Sequence, residues 1–277
     1  MSVICRKADW KDLPALLQVE HDTMPNHTYL AAVAEKFLDP SQGVLFAAEV
    51  DGVVAGVAHL AFLSDGGSWL EGLRVTPSLQ KNGCGTKIYE EAMKICAEKK
   101  LTSIRMYTGG KNVTSRKLAE RFGLTLTFTG REGVLEAENV KGAENTGFQQ
   151  VCCPEQAAKL AEEAVKTYGG YMCTNRTWWQ MGDDLWKDLC AQGSLYEKDG
   201  SLIHIGARMQ LDKGLNIGLI SGNVHEAAAF AKDMLVKTGL PRLTAMVPVD
   251  QPQLIAQMEA EGFVFPETTI IMLEKKF

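Results

Sequence analysis

A strand, a glycine turn and a helix follow one another almost without spacer within residues 68–97. Leu73 and Val75 alternate with polar neighbours, the period of a strand, and Pro77 ends the ladder because it has no N–H. Gln80-Lys81-Asn82-Gly83-Cys84-Gly85 is a tight turn with two glycines. Beyond it Ile88, Ala92, Ile95 and Cys96 share one face at helical spacing, with Lys87, Glu90, Glu91, Lys94 and Glu98 off it. The first N–H groups of a helix lack intrahelical partners, and the helix dipole adds partial positive charge there. Such a unit suits an anion, a phosphate-bearing ligand foremost. A dinucleotide fingerprint is excluded, because Ile88 stands where a third glycine or alanine is needed. A Walker A loop is excluded too, because Gly85-Thr86-Lys87 runs in the wrong order. The plainer alternative is a glycine turn that binds nothing.

The partners open to the chain are limited by its composition. Its 277 residues suffice for one large domain or two ordinary ones, and 45% hydrophobic with 23% charged residues describes a globular chain with a real core. No apolar run approaches the length of a membrane span, and no basic-then-apolar leader is visible, so neither span nor secretory signal is expected. Seven cysteines with no Cys-x-x-Cys pair speak against a zinc site or a disulfide framework and for the reduced thiols of a cytoplasmic protein. Residues 1–130 carry 15 Lys+Arg against 14 Asp+Glu, and residues 131–277 carry 14 against 20. That balance offers no clustered basic face, so no nucleic-acid partner is expected. Lys81, Lys87, Lys111, Arg116 and Lys117 fit a polyanionic ligand and ordinary solvated helix faces equally well. Nothing in the sequence fixes an oligomeric state.

In chain order, a short strand over 3–6 precedes a helix over 10–20 capped by Asp9. The polar stretch with His21, Asp22, His27 and Tyr29 around Pro25 has the character of a substrate-lining loop or of plain surface. A helix over 30–38 follows, then strands over 44–50 and 53–63 joined by Asp51-Gly52, a hairpin signal. Gly66-Gly67 turns into the strand that leads to the glycine loop. A crossover strand over 102–107, a helix over 112–122 and closing strands over 124–129 and 134–138 complete the order βααβββαβαβ.

Gln80-x-x-Gly83-x-Gly85 after Leu73-x-Val75-x-Pro77 resembles the acetyl-CoA pyrophosphate loop of the GCN5-related N-acetyltransferase (GNAT) family. Asn112-x-x-Ser115-x-x-Leu118, with Gly123-Leu124 beyond, is similar to a second motif of that family. The resemblance implies an α/β fold with a mixed central sheet flanked by helices, and acetyl-CoA as co-substrate without a metal. It implies that backbone groups of Leu73, Arg74 and Val75 hold the pantetheine, with the Val75 N–H polarising the thioester. The N–H groups of Lys81, Asn82, Gly83, Cys84, Gly85 and Thr86 would hold the pyrophosphate, with Gln80 capping the loop and Asn112 and Ser115 adding to the cofactor site.

Acetyl transfer to an amine requires a proton acceptor, stabilisation of the oxyanion and departure of a thiolate. Glu71 is the candidate base, directly or through water. A period of two puts it on the face of Leu73. The alternatives are that it binds the substrate's ammonium or pairs with Arg74. Where the family often has a Tyr to protonate the thiolate, this chain has Ala119. Tyr107 and Tyr89 are the replacements at hand, and Tyr107 is carried as the second catalytic candidate. Cys84 is expected to pack beneath the turn rather than to act as nucleophile.

Residues 139–147 read as a linker between domains over 1–138 and 148–277. The second half repeats the order: a strand over 148–153, helices over 154–168 and 177–191, a hairpin about Lys198-Asp199-Gly200, then a strand over 215–220 and a helix from 224. Strand, helix and closing strands follow, and Glu261-Gly262-Phe263 stands in the place of Phe122-Gly123-Leu124. The chain therefore reads as a tandem repeat. Its second copy is degenerate, because Ile220-Ser221-Gly222-Asn223 turns straight into a helix with a single glycine. Trp178 and Trp179 are expected on a helix, as core or as a wall of the substrate cleft. Leu70-Glu71-Gly72-Leu73-Arg74-Val75, with an intact first half and a degenerate second, is similar to the histidine N-acetyltransferases of the family. That similarity implies a free amino acid or like small-molecule amine as acceptor. An acyl-CoA-binding regulator without turnover and a peptide or protein N-terminal acetyltransferase are the rival functions.

Overall fold

A computed structural model describes residues 2–140 and 146–277, so residues 141–145 of the expected linker lie outside the described residues. The chain divides into two compact units, and neither is continuous in sequence. The first holds the residues up to Thr108, Asn112–Leu126 and Leu273–Phe277; the second holds Gly109–Lys111 and Thr127–Met272.

In the first unit β1 (Val3–Lys7) leads to α1 (Leu13–Thr23) and α2 (Leu30–Leu38). The meander β2 (Gly43–Val50), β3 (Val53–Phe62) and β4 (Ser68–Val75) follows, then α3 (Cys84–Lys99), β5 (Ser103–Gly109), α4 (Val113–Arg121) and the start of β6 (Thr125–Glu136). The strand order is β1-β2-β3-β4-β5. The first three pairings are antiparallel, and β4 meets β5 in parallel. Helices cover both faces. Phe37 of α2 stacks on His59 of β3, whereas Cys96 of α3 meets Ser68 on the opposite face at 3.3 Å. Trp69, Leu60, Ile88 and Ile104 are fully buried between the layers, each stabilising the unit by about 2–3 kcal/mol through the apolar area it hides.

Two expectations shift here. Helix α1 starts at Leu13 rather than at residue 10, and Asp9 does not cap it. The Asp12 carboxylate is taken by Arg6 at 2.7 Å and by the Asp9 N–H at 2.9 Å, which makes residues 9–12 a turn ahead of the helix. The two strands expected over 124–138 are one strand, β6, running through Gly130 and Gly133. Large side chains close over both glycines: a Cβ would lie 2.6 Å from Phe128 in the first case and within van der Waals distance of Phe265 in the second.

Residues 273–277 belong with the first unit. There Glu274 reaches Arg105, a fully buried guanidinium on β5, at 2.8 Å, and Asp65 of the β3–β4 turn holds the same guanidinium at 2.6 Å.

The second unit contains most of β6, then β7 (Gln149–Gln150), α5 (Pro154–Leu160), α6 (Glu162–Thr167), β8 (Tyr171–Thr174), β9 (Thr177–Gln180) and α7 (Asp183–Gln192). It continues with β10 (Leu195–Lys198), β11 (Ser201–Gly206), β12 (Leu215–Ser221), α8 (Val224–Thr238), β13 (Arg242–Pro248), α9 (Pro252–Ala260) and the beginning of β14 (Ile270–Lys276). The helix expected over 177–191 is a strand and a shorter helix. Asn175 and Arg176 both adopt positive φ and close a β8–β9 hairpin, and Gly182 separates β9 from α7. Trp178 and Trp179 are therefore strand residues, where aromatic side chains pack well, and both are buried. The helix expected over 154–168 is broken at Ala161 into α5 and α6. The strand expected over 148–153 is only two residues long. Among the described residues no helix is long and apolar enough to cross a membrane.

Candidate active site

The site is shaped by one extra residue in β4. His59 pairs with Glu71 and Val57 with Arg74, so Gly72 and Leu73 together stand opposite Ala58. Gly72 carries the positive φ of 65° that such a bulge uses. The bulge inverts the parity of the strand. Glu71 and Arg74 share the face of His59, while Leu73 points the other way, 3.9 Å from where a Cβ on Gly85 of α3 would stand. The expectation that Glu71 and Leu73 share a face is thus corrected, since a period of two holds only in an unbulged strand.

The parallel pairing of β4 with β5 ends after Ser68 with Ile104 and Trp69 with Arg105. Beyond that point the strands separate. Glu71 and Tyr107 are the next positions on that face on either side of the opening, and Tyr107 stacks on Trp69 with ring centroids 6.1 Å apart. The Thr76 N–H donates to Ala55 of β3 at 2.8 Å. By alternation the Val75 N–H and C=O face the opening, and the Val75 carbonyl accepts from Gln80 Nε2 at 3.1 Å. Gln80 thereby ties the loop back to its strand.

The loop passes through two positive-φ residues, Lys81 (66°) and Gly83 (97°), and Gly83 is the residue before α3. No side chain caps that helix. Its leading N–H groups are presented by a built turn, a cradle suited to an anion such as pyrophosphate. The two sequence motifs meet beside it: a Cβ on Gly85 would lie 2.9 Å from Leu118 Cδ2 of α4. Asn112 caps α4 by accepting from the Ser115 N–H at 3.1 Å, which gives both residues a structural task. Cys84 is buried, and burial pushes its thiol up, so it packs under the turn. Tyr89 is buried in a stack with Phe122, with its phenol pushed up by burial, far from the exposure of a proton donor. Of the two tyrosines, Tyr107 is the one at the opening.

Glu71 is 7% exposed, and its Oε1 lies 2.9 Å from Nδ1 of His59, itself 1% exposed. It pairs with this histidine and not with Arg74, which makes no ion pair among the described residues. Tyr29 completes the surroundings: a Cβ on Gly72 would lie 2.7 Å from its hydroxyl. Burial first, and then the charge of Glu71, push the Tyr29 phenol well above its ordinary range. Glu20, buried at the end of α1, holds this corner by accepting from the Tyr29 and Leu30 N–H groups at 3.1 and 3.0 Å. Of the polar loop that precedes it, only Tyr29 reaches the site; His21, Asp22 and His27 are exposed. Sequence reasoning missed His59 and Glu20. The signal for the first is a lone histidine within the apolar run of β3, and for the second an acid followed by a helix start nine residues on.

A strand bulge also occurs at this place in the second unit, where Ile205 pairs with Ile217, His204 with Leu219, and Gly218 is the extra residue, without the positive φ of Gly72. The positions of His59 and Glu71 are filled there by Ile205 and Ile217. Helix α8 is capped by its own Asn223, which accepts from the Glu226 N–H at 3.2 Å. Among the described residues there is no cluster of His, Cys, Asp or Glu that could hold a metal.

The model of the Acetyltransferase (GNAT) family matches residues 7–124. No curated protein matches the sequence. A GCN5-related N-acetyltransferase from Sphaerobacter thermophilus superposes with a TM-score of 0.63 at 14% identity, over 99% of this chain and 95% of that one. A tandem GNAT protein from the clavulanic acid biosynthesis pathway gives 0.59 at 12% identity, over 99% and 98%. A glucosamine N-acetyltransferase region of a fungal multi-domain GH3 β-N-acetylglucosaminidase gives 0.69 at 11% identity, over 99% of this chain and 38% of that one. At such identities the superpositions speak for the fold. Residues 7–124, which hold the glycine loop and the opened β4–β5 pair, match the Acetyltransferase (GNAT) family, and the chain as a whole shares the fold of a tandem GNAT protein.

Proposed function

We propose that this protein is a cytoplasmic N-acetyltransferase that moves an acetyl group from acetyl-CoA directly to the amine of a small molecule, with a free amino acid as one such acceptor. The observation that carries this is the coincidence, at one end of β4, of an uncapped helix N-terminus, an opened strand pair and a buried carboxylate. The N–H groups of residues 81–86 would hold the pyrophosphate, and the edge of Leu73, Arg74 and Val75 would hold the pantetheine. Acetyl-CoA supplies the activated thioester. Glu71 takes the proton of the acceptor ammonium. As the C–N bond forms, the Val75 N–H stabilises the oxyanion. The C–S bond then breaks with its electron pair leaving on the thiolate, and the second proton lost by the former amine passes to the departing sulfur or to solvent. Tyr107, across the opening, is placed to return a proton to sulfur. A thiolate is a far better leaving group than an alkoxide, so that proton is not obligatory. The second unit, without the loop, the acid or the histidine, is a degenerate copy that supports the first and binds no acetyl-CoA.

Calorimetry with acetyl-CoA is expected to show binding that disappears in Gly83→Val, where both the 97° φ and the turn are lost. An amine panel following CoA release then tests turnover. No binding to the wild type refutes the proposal. Binding without release on any amine or peptide makes the chain a regulator, and release on peptides alone makes it a peptide acetyltransferase.

A further inference from the structure

The proposed function gives Glu71 its task, and the part assigned to its neighbour His59 rests on that reading. Burying a carboxylate is costly unless it is hydrogen-bonded, and a fold has no need of one in the middle of a sheet. The second unit illustrates this, because at the equivalent cross-strand pair, just before its own bulge, it has two isoleucines. In the first unit the polar pair is kept and its partner is held on three sides. His59 Nδ1 lies 2.9 Å from Glu71 Oε1. The imidazole stacks on Phe37 with centroids 3.8 Å apart and planes 8° from parallel. Gly43 of β2 leaves room for the ring, since a Cβ there would stand 2.5 Å from His59 Nε2. The stack on Phe37 holds the imidazole ring, and the bond from that ring constrains the Glu71 carboxylate.

We propose that His59 is a positioning residue for acetyl transfer, acting through Glu71. Its Nδ1–H donates to Oε1 before and after the carboxylate takes the amine proton, so the imidazole itself undergoes no net proton change. The bond aims the carboxylate at the acceptor and steadies it when charged. The arrangement is that of an orienting group behind a general base, with the usual order of carboxylate and imidazole exchanged.

The test is a mutant cycle on the intact chain, with acetyl-CoA and the best amine of the panel. Glu71→Gln is expected to lower kcat about 100-fold, the contribution typical of general-base catalysis. His59→Leu is expected to lower kcat about tenfold or more, with the KM for acetyl-CoA unchanged. His59→Asn, whose side-chain N–H can reach the same oxygen, is expected to recover most of that loss. In the double variant His59→Leu, Glu71→Gln, kcat should fall no further than in Glu71→Gln alone, within about twofold, because a residue that acts through another adds nothing once the other is gone. If His59→Leu does not fold, His59→Phe, which keeps an aromatic ring against Phe37 but has no N–H to donate, takes its place in the cycle. Losses that multiply in the double variant, or a His59→Leu enzyme within twofold of wild type, overturn the proposal. A fully active Glu71→Gln enzyme overturns the role of Glu71 instead, and the two failures are told apart by which single variant is silent.

Discussion

Replacing Glu274 by Ala should unfold the first unit at a lower temperature, although the residue lies some 150 positions beyond most of that unit. Arg105 has no exposed surface, and its charge is answered by Asp65 at 2.6 Å and Glu274 at 2.8 Å. The net value of a buried ion pair against an apolar pair is small, but removing Glu274 leaves the guanidinium with Asp65 and takes away a buried charge-assisted bond, at a cost of about 1.5–3 kcal/mol. That is a large share of the 5–15 kcal/mol that holds a typical domain together. At roughly 3–5 °C per kcal/mol for a domain of this size, the melting temperature should drop by about 5–15 °C. Glu274→Gln keeps an acceptor for the guanidinium and should lose about half as much. The triple variant Asp65→Asn, Arg105→Met, Glu274→Leu should recover at least half of the Ala loss, because no member of the charged cluster is then left buried. Scanning calorimetry of the three variants, with tryptophan fluorescence in urea as a second probe, measures this. A shift below about 1 kcal/mol for Glu274→Ala, or a triple variant less stable than Glu274→Ala, would refute the account of a charge locked between two acids.

Two further outcomes are expected. Gly72→Ala forces a side chain into a positive-φ position and towards the Tyr29 hydroxyl, so it should cost about 1–3 kcal/mol and remove activity while leaving acetyl-CoA affinity near that of wild type; calorimetry and the CoA-release assay together check this, and full activity would contradict the role given to the bulge. His204 is 3% exposed and burial lowers its pKa to about 4, so the native state stays neutral while the unfolded chain takes up a proton near pH 6.5. Stability of the second unit should therefore be flat above pH 6.5 and fall between pH 6.5 and 4, with about 2 kcal/mol lost from pH 7 to 5. Urea unfolding at those two pH values should show that loss in wild type and a smaller one in His204→Leu, and equal losses would rule the histidine out.

The glycine loop, the Asn112 helix and the repeat of one fold were legible because each is encoded locally, by glycine at positive φ, by helical period and by the order of elements. The bulge was less so. An isolated glycine inside a strand is a signal for one, and Gly72 stood in plain view. Reading Leu70 to Val75 with an unbroken period of two hid it and put Leu73 on the face of Glu71. His59 became visible only through its partner on another strand. Trp178 and Trp179 fitted a helical period by chance, and the positive-φ turn at Asn175-Arg176 outweighed it. No local pattern in residues 270–276 could say which unit the end of β14 completes, because long-range pairing leaves no mark in a single segment.

That last strand also bears on how the protein is made. Domains usually fold in the order in which they are synthesised. Here the first unit waits for residues 273–277 to leave the ribosome, roughly 8–30 s after Leu126 at 5–20 residues per second. During that interval Arg105 has only Asp65 of its two acids, and the flank of β5 that the final strand covers is open. The second unit, in contrast, lacks only its short terminal strand until nearly the same moment. The unit with the glycine loop is completed only after nearly all of the other has been made.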